Sequence, residues 1–404
     1  MYRAYRLASF LAERLLRPFF PGRFRPPEAG PVDLWMHAAS VGELRVAEAL
    51  LAALASRGAS PRVALTLQTE SARRLAQRRN LPAQVFSAPW DGPRTVVRTL
   101  EILRPRVLVL LETELWPNLL AEALRREIPV CVVNGRLSDR SFPRYLALRR
   151  LFRPLLERLT FVGAISPLDR ERFLALGAPP ERVEVVGNAK YDLLVAEKER
   201  VDLEGLSARL RLREGEKVVV FGSMRGGEES LVREVVRQLA AREEVRFVVA
   251  PRHLERVSSF KKALEDLGLS LEFFSRHRPA RIVLVDEIGP LFGLYGLATA
   301  AVVGGSFVPK GGQNPVEPAV WGVPTLFGPH MENFREEVRR LSGAGVRMVQ
   351  TSAEALSLLR QWLDEEGTRR EAREALQKSL SALLGASERY AARILRILNG
   401  SHPS

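Results

Sequence analysis

Short, mainly apolar runs alternate with helical patterns along this chain, and the alternation runs through twice. Residues 32–37, 63–67, 107–111, 130–134 and 161–165 form a first set of strand candidates. After the charged stretch 196–205 the pattern restarts at residues 217–221, 245–250, 282–285, 301–304 and 324–327. Strands that are apolar throughout are buried on both faces, as in a parallel sheet covered by crossover helices. The reading is therefore α/β, with two doubly wound Rossmann-like domains joined near residues 196–215. A chain of 404 residues can build a core in each. In such sheets ligands bind outside the carboxyl ends of the strands, so chemistry is expected in the loops that follow them, and two facing domains would make a central cleft. The expected division is 1–25, 26–200 and 201–404, with helices at the C-terminal end whose last part is expected to cross back to the first domain.

Hydrophobic residues make up 46% and charged residues 27% of the chain, a balance that excludes disordered and fibrous classes. The single cysteine, Cys131, lies inside an apolar run, which excludes an internal disulfide framework and agrees with a reducing cytoplasm. The formal net charge is +14, mostly from arginine, and implies an anionic partner or an arginine-rich surface suited to high temperature. Zinc-ligand spacing, RNA-recognition aromatics and a helix-turn-helix pattern are all missing, so no nucleic-acid partner is expected. Residues 1–25 carry six arginines among Tyr, Leu and Phe, with no uninterrupted apolar run near the ~18 residues a spanning helix needs. Two readings fit this segment. It forms an amphipathic helix on an anionic membrane surface, with Phe10, Leu11, Phe19 and Phe20 entering the lipid, or a helix docked on its own domain.

Chemistry-bearing residues cluster after the strand candidates. Ala38-Ala39-Ser40-Val41-Gly42-Glu43 follows the first, so Glu43 sits at a helix start, where it can act as a general base kept ionised by the helix dipole or complete a capping box with Ser40. Glu112-Thr113-Glu114-Leu115-Trp116-Pro117-Asn118 follows the third, with carboxylates that are costly to bury unless a site or a structural partner uses them. Arg136, Lys190 and Arg252 also follow strands and suit phosphate or carboxylate. The turn 221–229 and the pairs Gly304-Gly305 and Gly311-Gly312 offer amides and close backbone approach, and Asn314-Pro315-Val316-Glu317 opens a short helix toward an anion or sugar hydroxyls. Phosphate-loop, GxGxxG and GxSxG patterns are missing, and His37, His253, His277, His330 and His402 show no metal spacing, so no metal or cofactor is expected.

The set His37-x-x-Ser40-Val41-Gly42-Glu43, Glu112-Thr113-Glu114-Leu115-Trp116-Pro117-Asn118, Arg136-Leu137-Ser138, Pro251-Arg252-His253 and Gly311-Gly312-Gln313-Asn314-Pro315-Val316-Glu317 closely resembles the 3-deoxy-D-manno-octulosonic acid (Kdo) transferases of lipopolysaccharide synthesis. The matches run in order from about residue 32 to residue 335. The resemblance implies a GT-B fold and inverting transfer of Kdo from CMP-Kdo to a lipid A precursor, lipid IVA, at the cytoplasmic face of the inner membrane, by a peripheral or monotopic enzyme. It implies Glu43 as general base and Glu112 and Lys190 as stabilisers of the transition state. Pro251, Arg252, Ile288, Gly289, Asn314, Pro315, Val316 and Glu317 match positions that hold CMP. Ser40, Gly42, Arg136 and Ser223 are further expected substrate contacts. Four positions depart from the family pattern: Pro290 stands for a glutamate, Gln313 for a histidine, and Met224-Arg225 for Thr-His. The alternatives are a GT-B enzyme using another nucleotide sugar and an inactive nucleotide- or lipid-binding relative, the latter opposed by retention of Glu43, Glu112 and Lys190.

Overall fold

The structure, a computed structural model, describes residues 1–25 and 27–400. The chain forms two compact units: Met1–Leu193 together with the chain from Leu384 onward, and Leu194–Leu383. In the first unit, β1 (Leu34–Ala38), β2 (Val63–Leu67), β3 (Gln84–Ser87), β4 (Val107–Leu111), β5 (Val130–Gly135), β6 (Phe161–Ala164) and β7 (Val183–Val185) form one sheet of order β3-β2-β1-β4-β5-β6-β7. Every pairing in it is parallel. The order reverses between β1 and β4, which makes that gap the topological switch point.

Alternation along each strand sorts side chains onto two cores. Leu34, Met36, Val107, Val109 and Leu111 fill one face, covered by the helices Val41–Ser56 and Ala386–Leu398. Trp35, Leu108 and Leu110 fill the other, under Pro93–Leu103 and Pro117–Arg125. The second unit repeats the plan with β8 (Lys217–Met224), β9 (Val245–Pro251), β10 (Leu271–Phe273), β11 (Ile282–Leu284), β12 (Ala300–Val303), β13 (Thr325–Phe327) and β14 (Val346–Met348). Their order is β10-β11-β9-β8-β12-β13-β14, again all parallel, with the reversal between β8 and β12.

One boundary is corrected. A division at residues 200 and 201 leaves the last helix with the second domain, whereas Ala386–Leu398 belongs to the first unit. Tyr390, Ala391, Ile394 and Leu398 are buried in the core that the helix Val41–Ser56 also covers, and that burial fixes the crossing.

The N-terminal helix Tyr2–Leu16 uses both of its faces. On the inner face Tyr5 donates its hydroxyl to Asp91 at 2.8 Å, and Asn118 Nδ2 donates to Ser9 at 2.8 Å. Buried Glu13 accepts from the Thr95 amide at 3.0 Å, satisfying the start of the helix Pro93–Leu103, whose own N-cap residue is Gly92. On the outer face Leu7, Leu11 and Leu15 recur every fourth position and are 61%, 51% and 71% exposed, followed by exposed Phe19 and Phe20. Phe10 is corrected as a lipid-facing residue. Its ring lies between the guanidinium groups of Arg14 and Arg94, 5.0 and 4.8 Å from its centroid. No described helix is long and apolar enough to cross a membrane.

Candidate active site

The expected site residues of the first unit meet at its switch point. Glu43 follows β1, Glu112 and Glu114 follow β4, Arg136 follows β5, and Lys190 opens the helix Lys190–Lys198. Because all the strands are parallel, these loops leave the same edge of the sheet.

The capping reading of Glu43 is realised. Its carboxylate accepts the Ser40 amide at 2.8 Å and the Ala39 amide, completing the Glu half of a capping box on the helix Val41–Ser56. The same carboxyl is pushed up to about 7, first by burial and then by the nearby carboxylates of Glu114 and Glu112. The expectation that the helix start keeps Glu43 ionised is thus corrected: the two amide bonds favour the charged form, and burial with two like charges outweighs them. The result is a carboxyl that exchanges a proton near neutral pH.

Glu112 pairs with the Lys190 ammonium, the two side chains being 18% and 27% exposed. Gly42 lies beside the lysine: a Cβ there would stand 3.4 Å from Nζ, an ordinary contact. Glu112 has φ 58°, as does Asn134 at the end of neighbouring β5. Non-glycine residues in the left-handed region cost about 1–3 kcal/mol each and collect at functional sites. Asn134 is 1% exposed. Its amide group donates to Glu112 at 3.4 Å and accepts from the Ala189 backbone at 2.9 Å, so one side chain sets both partners of the ion pair. Sequence reading passed over Asn134 as a site residue; a polar residue closing an apolar strand was the available signal. Ser40 is half-buried beside Glu43, while Arg136, also half-buried, has its carbonyl held by the Thr113 hydroxyl and lies near Asp169.

Glu114 accepts from Trp116 Nε1 at 2.7 Å, and burial raises its carboxyl. His37 Nε2 stands 3.8 Å from Glu114 without forming an ion pair, because complete burial holds that imidazole down to about 3 and therefore neutral. Its Nδ1 lies 2.8 Å from the Thr66 hydroxyl. His37 serves as a neutral wall of the site.

In the second unit Ser223 and Pro251 lie at the carboxyl ends of β8 and β9, and Arg252, Ile288, Gly289 and Asn314–Glu317 follow β9, β11 and β12, again at the carboxyl edge. Ser223 has φ 56°, the Arg252 amide donates to Met224 O at 2.8 Å, and Ile288 is 89% exposed. Two expectations change here. The turn amides are engaged by the chain's own carboxylates: buried Glu228 accepts from Arg225 at 2.6 Å, Gly305 at 2.8 Å, Ser306 at 3.1 Å and Phe307 at 3.0 Å. Gly311 and Gly312 make room for Asn333 and Met331. Asn314 accepts the Val316 amide at 3.0 Å and donates to Glu317 at 3.2 Å, so the two polar residues of that turn brace each other. Glu287 is engaged by Arg209 at 2.8 Å. Among the described residues no group of three or more His, Cys, Asp or Glu is placed to hold a metal ion, and His402 lies outside the described residues.

Two parallel doubly wound units give the chain a GT-B fold. In agreement, a glycosyltransferase from Rickettsia africae superposes with a TM-score of 0.65 over 92% of this chain and 99% of its own, at 10% identity, a likeness of fold. Residues 11–193 match the family model described as 3-deoxy-D-manno-octulosonic-acid transferase (kdotransferase). The 3-deoxy-D-manno-octulosonic acid transferase of Bordetella pertussis is 31% identical over 397 residues, covering 92% of this chain and 90% of that protein. A bifunctional glycosyltransferase/methyltransferase of Fusobacterium nucleatum is 32% identical over 340 residues, 81% of this chain; the matched part is about half of that relative, 52%. The chain belongs to the 3-deoxy-D-manno-octulosonic acid transferase family.

Proposed function

We propose that this protein transfers Kdo from CMP-Kdo to a lipid A precursor, lipid IVA, with inversion at the anomeric carbon. The observation that carries the reading is Glu43, a buried carboxyl pushed up to about 7 beside the Glu112–Lys190 pair, in a chain of this family. Glu43 takes the proton of the acceptor hydroxyl as its oxygen attacks the anomeric carbon of Kdo, and CMP departs with the electron pair of the broken bond. The Glu112 carboxylate faces positive charge developing on the sugar, and the Lys190 ammonium faces the anionic groups of donor and leaving CMP. Arg252, Pro251, Ile288, Gly289 and the Asn314–Glu317 turn hold the CMP moiety; Arg252 supplies a fork for its phosphate. Ser40, Gly42 and Arg136 in the first unit, and Ser223 in the second, are the further substrate contacts of this reading.

The test is incubation of purified protein with CMP-Kdo generated in the reaction and tetraacylated lipid A precursor, read by mass spectrometry of the lipid. Lipid gaining one or more Kdo masses supports the reading. Unmodified lipid, with turnover of another nucleotide sugar, would replace the donor. Pro290 and Gln313 are the residues that favour this second reading.

The enzyme works as a peripheral protein of the cytoplasmic face of the inner membrane. Leu7, Leu11, Leu15, Phe19 and Phe20 enter the lipid while Arg3, Arg6, Arg14 and Arg17 meet anionic headgroups. Each large apolar side chain buried contributes about 1.5–3 kcal/mol at full burial. Replacing Leu11, Leu15 and Phe19 together by serine is therefore expected to weaken sedimentation with anionic vesicles at least about tenfold without lowering the melting temperature, since all three are exposed. Equal vesicle binding by this variant would remove the helix from the contact.

A further inference from the structure

The last helix, Ala386–Leu398, reaches through Tyr390 to the turn that leads into Lys190. Tyr390 is fully buried, and its ring occupies a slot beside Gly163 where any Cβ would collide with it. Its hydroxyl lies 3.0 Å from Gly163 O and 3.0 Å from Gly187 O, and it accepts the backbone N–H of Asn134. Burial keeps the phenol protonated, so the hydroxyl is a permanent donor to these carbonyls.

Each contact is one step from the site. Asn134 carries Glu112 and Ala189 on its side chain. Its placement coincides with a register shift between β5 and β6 at Val132/Gly135, an irregularity of the kind that re-aims side chains next to active sites. Gly187, with φ 108°, begins the turn that ends in Lys190. Neighbouring Arg389 donates to Val186 O from Nη2 at 2.8 Å. On the far side of Lys190, Asp192 accepts the amides of Gly385 at 2.6 Å and Ser387 at 2.7 Å. The turn bearing Lys190 is thus gripped before and after by a segment about two hundred positions later in the chain, with 203 residues separating Tyr390 and Gly187.

We propose that Tyr390 is a positioning residue: through Asn134 and the Gly187 turn its hydroxyl sets the Glu112–Lys190 pair for transfer. The inference rests on the reading of Glu112 and Lys190 as the stabilising pair of a Kdo transfer. Tyr390→Phe keeps the ring in its slot and removes only the hydroxyl. Displacements of about 1 Å at reacting groups cost up to roughly a hundredfold in rate. The variant is therefore expected to lose about tenfold to a hundredfold in kcat, with KM for CMP-Kdo within about twofold of wild type. Independently of activity, acetylation of Lys190 in the intact protein, followed across pH by peptide mass spectrometry, is expected to speed up several-fold while other lysines react as before. Unchanged kcat together with unchanged Lys190 acetylation would overturn the proposal and leave Tyr390 a packing residue. Should Tyr390→Phe not fold, Arg389→Gln loosens the same turn from the surface, and the same two readouts decide in the same way. Faster Lys190 acetylation in the variant, with no Kdo transfer by the wild-type protein, would keep the positioning role and reject the functional reading.

Discussion

Glu43→Gln is expected to lose transfer by about a hundredfold to ten-thousandfold, the contribution of a positioned general base, while CMP affinity and melting temperature stay near wild type. This substitution separates the two roles the residue plays. A glutamine at the third helical position still accepts the amides of Ala39 and Ser40, so the capping box survives. What it loses is the ability to take a proton. A residue that served only as a cap would leave a fully active Gln variant, and that result would remove Glu43 from the chemistry. The pH dependence makes the same point in the wild-type enzyme. A carboxyl raised to about 7 is mainly protonated below neutral pH, and the protonated form cannot act as base. The value of kcat/KM should therefore rise with pH through about 7, falling by about tenfold per unit on the acid side. Glu114→Gln removes the like charge with the larger effect of the two that hold this group up, so the midpoint should move downward. A midpoint that stays in place would show that burial alone sets it.

Which parts of this molecule were legible in its sequence follows from how locally each is encoded. Central strands such as β1, β4 and β5 are mainly apolar because both faces are covered, with His37 and Asn134 as polar exceptions, and residues 32–37, 107–111 and 130–134 display this pattern. The edge strands were not legible. β3 is Gln84–Ser87, half exposed, while β7 and β14 carry exposed Glu184 and Arg347, so their patterns match those of loops. The positions of Glu43, Glu112 and Arg136 after strands followed from the parallel-sheet rule, and the reversal of strand order sets the β1 and β4 loops side by side, whereas Lys190 comes from the turn after the edge strand β7 and meets Glu112 through its side chain. The support behind them is another matter. Tyr390 reaches Gly187 across 203 residues and Glu228 reaches Phe307 across 79, and no periodicity records such pairings. The same limit explains the glycines near residue 311. Their positive φ was readable as a need for glycine, but whether the freed space holds a ligand or a neighbouring side chain is a tertiary fact, and here it holds Asn333 and Met331.

Replacing Lys190 by methionine is expected to cost transfer about a hundredfold to a thousandfold, the magnitude seen when one preorganised electrostatic group is removed from a transition state. The stability of the same variant behaves differently. At 27% and 18% exposure, Lys190 and Glu112 lie between a surface pair, worth about 0–1 kcal/mol, and a buried one, whose breakage costs about 3–5 kcal/mol. Lys190→Met should therefore destabilise the protein by about 1–3 kcal/mol, because it leaves the Glu112 charge without its ion-pair partner. Adding Glu112→Gln removes that stranded charge. The double variant is expected to recover much of the lost stability in chemical denaturation yet recover no activity, since neither member of the pair remains to meet the charges of the reacting sugar and leaving CMP. The two measurements must diverge if the pair belongs to the reaction. Recovery of both together would mean that Lys190 and Glu112 hold the fold and nothing more, and transfer would then rest on Glu43 and the donor-binding loops alone.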